Sequence, residues 1–376
     1  MKTYSLFYIL LVCLIFIGCN KSDEGLESDI PKESSVISDY ILLLSTDEML
    51  SAQPLNASLE ALSINLEESQ FVAVVLPQLT YREGSVLSLY HKVTNCTAEV
   101  TKYDFDDNTT KAFEVFTDLG NCNLTATSIV HSETVIYIAY TLEVTAKGDK
   151  FFVRIFDTST SEPTFKDVEL EKKPIQLTLT DSRLFILTFD EEITDENSLT
   201  VMDITTSTLI HEMNLGYDAR QLIKNIDENI IISYDELHTV LNSTTMNVEY
   251  TSYEAGKEPK FADSKVNHID STGKLYYERE SEGEIPHIPV IYDFSKNIVY
   301  LYMYENFLTE AQIKFEFEIS DTTVVGYDEV NNLILIGYKK SGEANKGGLL
   351  RVKPVPDPAF VDNIDLDGVP YDIFVK

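Results

Sequence analysis

Six times along the chain, a short apolar run, a second run that ends in a polar turn, and a third run follow one another. This repeat limits the possible folds more than any other feature of the sequence. The clearest copy is LFILTF (residues 184–189), SLTVMDITTST (198–208) and LIHEMNL (209–215). The turn positions Asp104, Asp157, Asp203, Asn242, Asp293 and Lys353 lie 53, 46, 39, 51 and 60 residues apart. Runs of four to eight β-branched and aromatic residues bounded by polar turns read as strands. Repeats of this length suit propeller blades of four strands. The fourth strand of each blade is then the run before each unit, such as PIQLTLT (174–180).

The two ends complete the pattern. DYILLLST (39–46) and SLEALSINL (58–66) look like strands without a partner, and PYDIFVK (370–376) looks like the innermost strand of a further blade. Joined, they form a seventh blade from both termini, which removes the exposed sheet edges of an open array. The expectation is an all-β, seven-bladed β-propeller over residues 39–376, closed by its N- and C-terminal strands, with six blades as the alternative count.

The recurring Asp or Asn reads as turn chemistry. Asx side chains accept hydrogen bonds from backbone N–H groups two or three residues on and so start turns. DNIDLDG (362–368) imitates a calcium loop, but Ile364 and Leu366 alternate with Asp365 and Asp367, as in a half-buried strand. The twelfth position counted from Asn363 is Phe374, where a calcium loop places Glu.

Ahead of the repeats, one positive charge at Lys2 precedes a 12-residue apolar core, residues 6–17, that ends at Gly18-Cys19. That core is shorter than the roughly 20 residues of a spanning helix and matches a secretory signal. The Gly-Cys edge resembles the lipobox of bacterial lipoproteins, which implies acylation of Cys19 after removal of residues 1–18. Residues 19–38 are acidic and poor in aromatics, as in a flexible tether. Lys21 followed by acids resembles the signal that sends lipoproteins of Bacteroidota to the outside of the outer membrane. Ordinary secretion and an uncleaved anchor are the alternatives.

With 62 Asp+Glu against 29 Lys+Arg, the net charge is −33, which disfavours nucleic acid as a partner. Past Cys19 only Cys96 and Cys122 remain. In an oxidising exterior, two cysteines 26 residues apart around a hairpin-like segment read as a disulfide, worth roughly 3 kcal/mol by loop closure. Neither has a second cysteine or a histidine at ligand spacing, so no metal site is expected there.

The repeats resemble lactonase-like and YVTN-type propellers. With the lipoprotein front end, they are similar to surface propeller lipoproteins of Bacteroidota, some of which accompany TonB-dependent transporters in siderophore capture. The resemblance implies a cell-surface protein on the outer membrane, beside such a transporter, binding a small molecule, an iron chelate or a glycan. The strongly acidic charge departs from what an anionic ferric catecholate would favour.

No catalytic motif of the nucleophile-elbow, zincin, P-loop or dinucleotide type is present, and neither a cofactor nor a catalytic residue is expected. The functional expectation is therefore a binding protein, with an extracellular lactonase- or lyase-like enzyme as the alternative. Ligand contacts in a propeller come from loops around the central mouth, and Tyr and Arg are strong contact residues. The candidates are Tyr81 and Arg82 in LTYREG, Tyr217 and Arg220 in GYDAR, His287 in GEIPHIP, and Lys339 with Lys340 in GYKKSGEANKGG.

Overall fold

The computed structural model describes residues 40–59, 61–65, 71–120, 122–143 and 148–376. Cys19, the signal segment and the tether lie outside the described residues. Seven antiparallel sheets follow one another along the chain as the blades of a propeller. Blades I to VI are residues 79–115, 123–170, 173–216, 221–252, 268–301 and 319–366, each with four strands in sequential order from the axis outward. Blade VII combines the C-terminal strand Val369–Val375 with Tyr40–Thr46, Met49–Ala57 and Leu62–Ile64, in that order from the axis. The expected closure by both termini and the count of seven both hold. The strand Met49–Ala57 lies between the two N-terminal runs read from sequence, and a two-residue strand, Val74–Val75, pairs with its start.

Burial follows position in the blade. The second strands are covered by neighbouring sheets on both faces and read as continuous apolar runs, Val135–Glu143 (VIYIAYTLE) and Leu333–Lys340 (LILIGYKK) among them. Outer strands such as Thr109–Val115 and Thr208–Gly216 are mostly exposed. The core lies between adjacent blades. Phe185, Leu187, Leu199 and Val201 of blade III, for example, pack on Leu222, Ile230, Ile232 and Leu241 of blade IV.

Every one of the six repeat anchors falls at the turn between the third and outer strands. Asp203 Oδ1 accepts hydrogen bonds from Thr206 N–H and Oγ1–H at 2.8 and 2.9 Å. Asn242 Oδ1 accepts from Thr244 N–H and Thr245 N–H at 3.1 and 2.7 Å. Asp104, Asp157 and Asp293 accept in the same manner. In blades I and V, a tyrosine on the third strand donates to an asparagine at positive φ five residues later: Tyr103 to Asn108 at 3.2 Å and Tyr292 to Asn297 at 2.6 Å. Residues 362–366 of the segment that imitates a calcium loop are in the outer strand Ala359–Leu366, where Asp362 pairs with buried Arg351 and Asp365 with Lys340.

The two ends of the ring differ. One face carries the turns between first and second and between third and outer strands, and is here the turn face. The other, the loop face, carries the connections between blades and the second-to-third loops. Cys96 and Cys122 form a disulfide on the loop face, where the second-to-third loop of blade I meets the connection to blade II.

Candidate functional site: the axial cup

The first strand of each blade is a sheet edge turned to the axis, and side chains from neighbouring blades take up part of its backbone hydrogen bonding. Ser128 of blade II accepts from Leu177 N–H of blade III at 3.0 Å. Gln176 of blade III both donates to Leu222 C=O and accepts from Leu222 N–H of blade IV, each at 2.8 Å. Arg82 of blade I donates from Nη1 to Ile373 C=O of blade VII at 2.6 Å. These contacts satisfy edge groups that burial would otherwise leave costly.

Inside the ring of first strands is a cavity of about 620 Å³. Thr80, Arg82, Thr127, Gln176, Gln221, Lys265, Asn267, His268 and Asp372 are among its lining residues. At the turn face, Glu83 of blade I and Lys224 of blade IV meet across the axis at 2.9 Å. Lys224 also contacts Glu228 at 3.2 Å, and Tyr81 Oη–H donates to Glu83 at 2.7 Å. Burial opposes the charge on Lys224, but the Glu83 and Glu228 carboxylates outweigh it and hold its pKa above the ordinary lysine value. This pair spans the channel near the turn face; the cavity is here called the axial cup and the pair its floor.

Above the floor, Arg82 Nη1 reaches Asp372 at 2.9 Å, Nε donates to Gly84 C=O at 3.2 Å, and the guanidinium stacks 3.8 Å over the Phe374 ring. Among the described residues, Nη2 of Arg82 has no hydrogen-bond partner. His268 of blade V lines the same cavity, against the ring of Tyr276. Burial, aided by the positive charge of Arg82, lowers the His268 pKa to about 4, so the imidazole is neutral with one donor and one acceptor nitrogen.

The sequence-derived candidates divide. Tyr81 and Arg82 line the cup, although Tyr81 also packs between blades I and II against His131, and Arg82 ties blade I to the closing strand. Tyr217 and Arg220 stand exposed on the loop face between blades III and IV, where Arg220 reaches Asp235 at 3.2 Å. His287 Nδ1 contacts Asp321 at 2.9 Å, and Lys339 is the penultimate residue of the second strand of blade VI, Leu333–Lys340. The structure does not gather these last four into one site, and none lines the cup. Sequence reasoning missed Glu83, Lys224 and Asp372, and it reads His268 as an ordinary histidine beside a turn. The first-strand runs QLIK, VNHI and PYDI carried the signal, since a propeller turns those strands to its axis.

Two further histidines, His131 and His238, are buried, and burial lowers each pKa to about 4, as in His268. His131 Nδ1 lies 2.7 Å from Ser88 Oγ. The unfolded chain protonates its histidines below about pH 6.5. Between there and about pH 4 the unfolded state therefore binds more protons, so this contribution to stability is full above pH 6.5 and is lost as pH falls through the window. The thermal midpoint is expected to fall along that range, with a shallower slope in His238→Gln. An equal slope in the variant would remove His238 from the effect.

No family model matches the chain, and no curated protein matches it in sequence. Solved structures do match in shape. The periplasmic gluconolactonase PpgL of Pseudomonas aeruginosa aligns with a TM-score of 0.55 at 10% identity, over 90% of this chain and 99% of its own. A candidate 6-phosphogluconolactonase of Bacteroides fragilis aligns with a TM-score of 0.52 at 9% identity, over 92% and 99%. At such identities the likeness establishes the fold alone: this chain is a closed seven-bladed β-propeller of the shape that these lactonase-like proteins share.

Proposed function

We propose that this protein is a ligand-binding propeller that takes a small polar molecule into its axial cup, carried at the cell surface by an acylated Cys19. The single observation behind this reading is the cup itself. It is a cavity of about 620 Å³ at the axis with hydrogen-bonding side chains from several blades around it. Concave sites with a few convergent polar groups are the usual form of small-molecule sites. A role in delivering a nutrient to an outer-membrane, TonB-dependent transporter is part of the same proposal, and its basis is the front end of the sequence.

A second reading has its own support. The two structural neighbours named above carry lactonase descriptions, which favours an enzyme acting on a sugar lactone. One experiment separates the two. Purified protein is screened against ferric siderophores, haem, oligosaccharides and glucono-δ-lactone for a saturable rise in thermal midpoint, with product formation followed in parallel. A ligand at 100 times its dissociation constant adds about 2.7 kcal/mol to folding, well within detection. Saturable stabilisation without turnover supports binding. Lactone hydrolysis that is saturable and above the uncatalysed rate overturns it in favour of the enzyme.

The anchor has a separate test. Cys19→Ser is expected to release the protein from membranes or to leave an unprocessed precursor. A processed variant that still sediments with membranes would contradict acylation.

A further inference from the structure

Resting on the reading of the cup as a binding site, we infer that its ligand is an uncharged polyol, recognised by hydrogen bonds from Arg82 Nη2, His268 and the side-chain amide of Asn267. The argument begins with charge. Within the cavity wall, Arg82 is paired to Asp372 at 2.9 Å and Lys224 to Glu83 at 2.9 Å. A charged ligand near the floor would have to displace a partner from one of these pairs or place its own charge, unpaired, in a confined space. Either outcome leaves a partly covered charge without its partner, a cost that grows with burial. Lys265 is exposed at the loop-face end of the wall and is not confined with them.

What the cup does offer is hydrogen-bonding capacity. Arg82 is fixed on three sides, by Gly84 C=O, by Asp372 with Ile373 C=O, and by the Phe374 ring, so Nη2 is held in place with its donors uncommitted among the described residues. His268 adds one donor and one acceptor. The charged and titratable groups around it are Arg82 in the cup and Asp270 and Glu329 on its turn-face side, with the Tyr276 ring against it. Asn267 Nδ2–H donates to Gln221 Oε1 at 3.2 Å, and Asn267 Oδ1 accepts from Ser264, which fixes the orientation of that amide beside Gln221. Donors and acceptors held in fixed positions match alternating hydroxyl groups. They also discriminate by loss of pairing when a hydroxyl is missing.

Three probes of near-equal size but different charge test this directly: glucose, gluconate and glucosamine, titrated by calorimetry into the full chain. Glucose is expected to bind with an affinity at least tenfold above both charged probes. That affinity should be nearly independent of salt and constant between about pH 6 and pH 8, where His268 stays neutral. His268→Ala and Asn267→Ala should each weaken it tenfold or more, while Thr206→Ala on an outer turn leaves it unchanged. If gluconate or glucosamine binds more tightly, and His268→Ala abolishes that binding, the cup stands as the site and the uncharged class is wrong. If glucose binds but neither cup variant alters its affinity, the cup is not the site. If none of the three binds saturably, both the class and the cup reading fall.

Discussion

Arg154→Ala is expected to destabilise the protein by about 3–5 kcal/mol, the range for removing one member of a buried ion network. The side chain of Arg154 is fully buried in the third strand of blade II. It makes two hydrogen bonds to Asp118, at 2.6 and 2.9 Å, and two to Asp167, at 2.9 and 2.7 Å. Its guanidinium also lies between the rings of Phe116 and Phe165, 4.5 and 4.4 Å from their centroids. Burial opposes its charge, yet the two carboxylates together hold its pKa above the ordinary arginine value. With the guanidinium gone, two partly covered carboxylates face each other and the two rings lose their filling. Arg154→Lys should recover only a small part, since one ammonium cannot serve both carboxylates in the forked geometry. Urea unfolding at neutral pH measures both variants. A loss below about 1 kcal/mol for the alanine form would mean that the network contributes no more than an exposed pair.

Arg82→Ala is expected to cost about 3–4 kcal/mol and to act on ring closure. Arg82 joins blade I to the C-terminal strand of blade VII, 290 residues away, through Asp372, Ile373 C=O and the Phe374 ring. Its loss leaves Asp372, which is 7% exposed, without its cation. Closure has other clasps: the Tyr40 hydroxyl donates to Asp328, and Arg351 donates to Ser58 C=O at 2.6 Å. The variant should therefore fold, but amides of Tyr40–Thr46 and Val369–Val375 should exchange hydrogen faster than those of blades III and IV. Uniform acceleration over all blades would show that Arg82 does not act through closure.

The propeller was readable because its repeat is local. Asp104, Asp157, Asp203 and Asp293 sit at one kind of turn, and the Asx hydrogen bonds that place them there reach only two or three residues along the chain. The closing strand was readable for a similar reason, as an apolar run with no partner nearby in sequence. Met49–Ala57 does not read as a strand in sequence, because Ser51, Gln53, Pro54 and Asn56 break the apolar pattern and proline is unusual inside a sheet.

The cup was illegible for the opposite reason. Glu83 and Lys224 are 141 residues apart, and Arg82 and Asp372 are 290 apart, so no local pattern links them. Arg82 beside Tyr81 looked like a contact pair reaching for a ligand. The fold instead turns Tyr81 toward Glu83 and the seam with blade II, and commits most of the Arg82 donors to the ring. Those pairings define the charge balance of the cup, which only the closed ring brings together.

Hydrogen exchange on the protein with and without a saturating concentration of the tightest-binding polyol tests most directly whether function resides in that cup. Added protection is expected in the first strands, at Leu79–Glu83, Gln221–Lys224 and His268–Ile269, with the outer strands unchanged. Protection confined to loop-face segments around Tyr217 and His287, with the first strands unaffected, would contradict it.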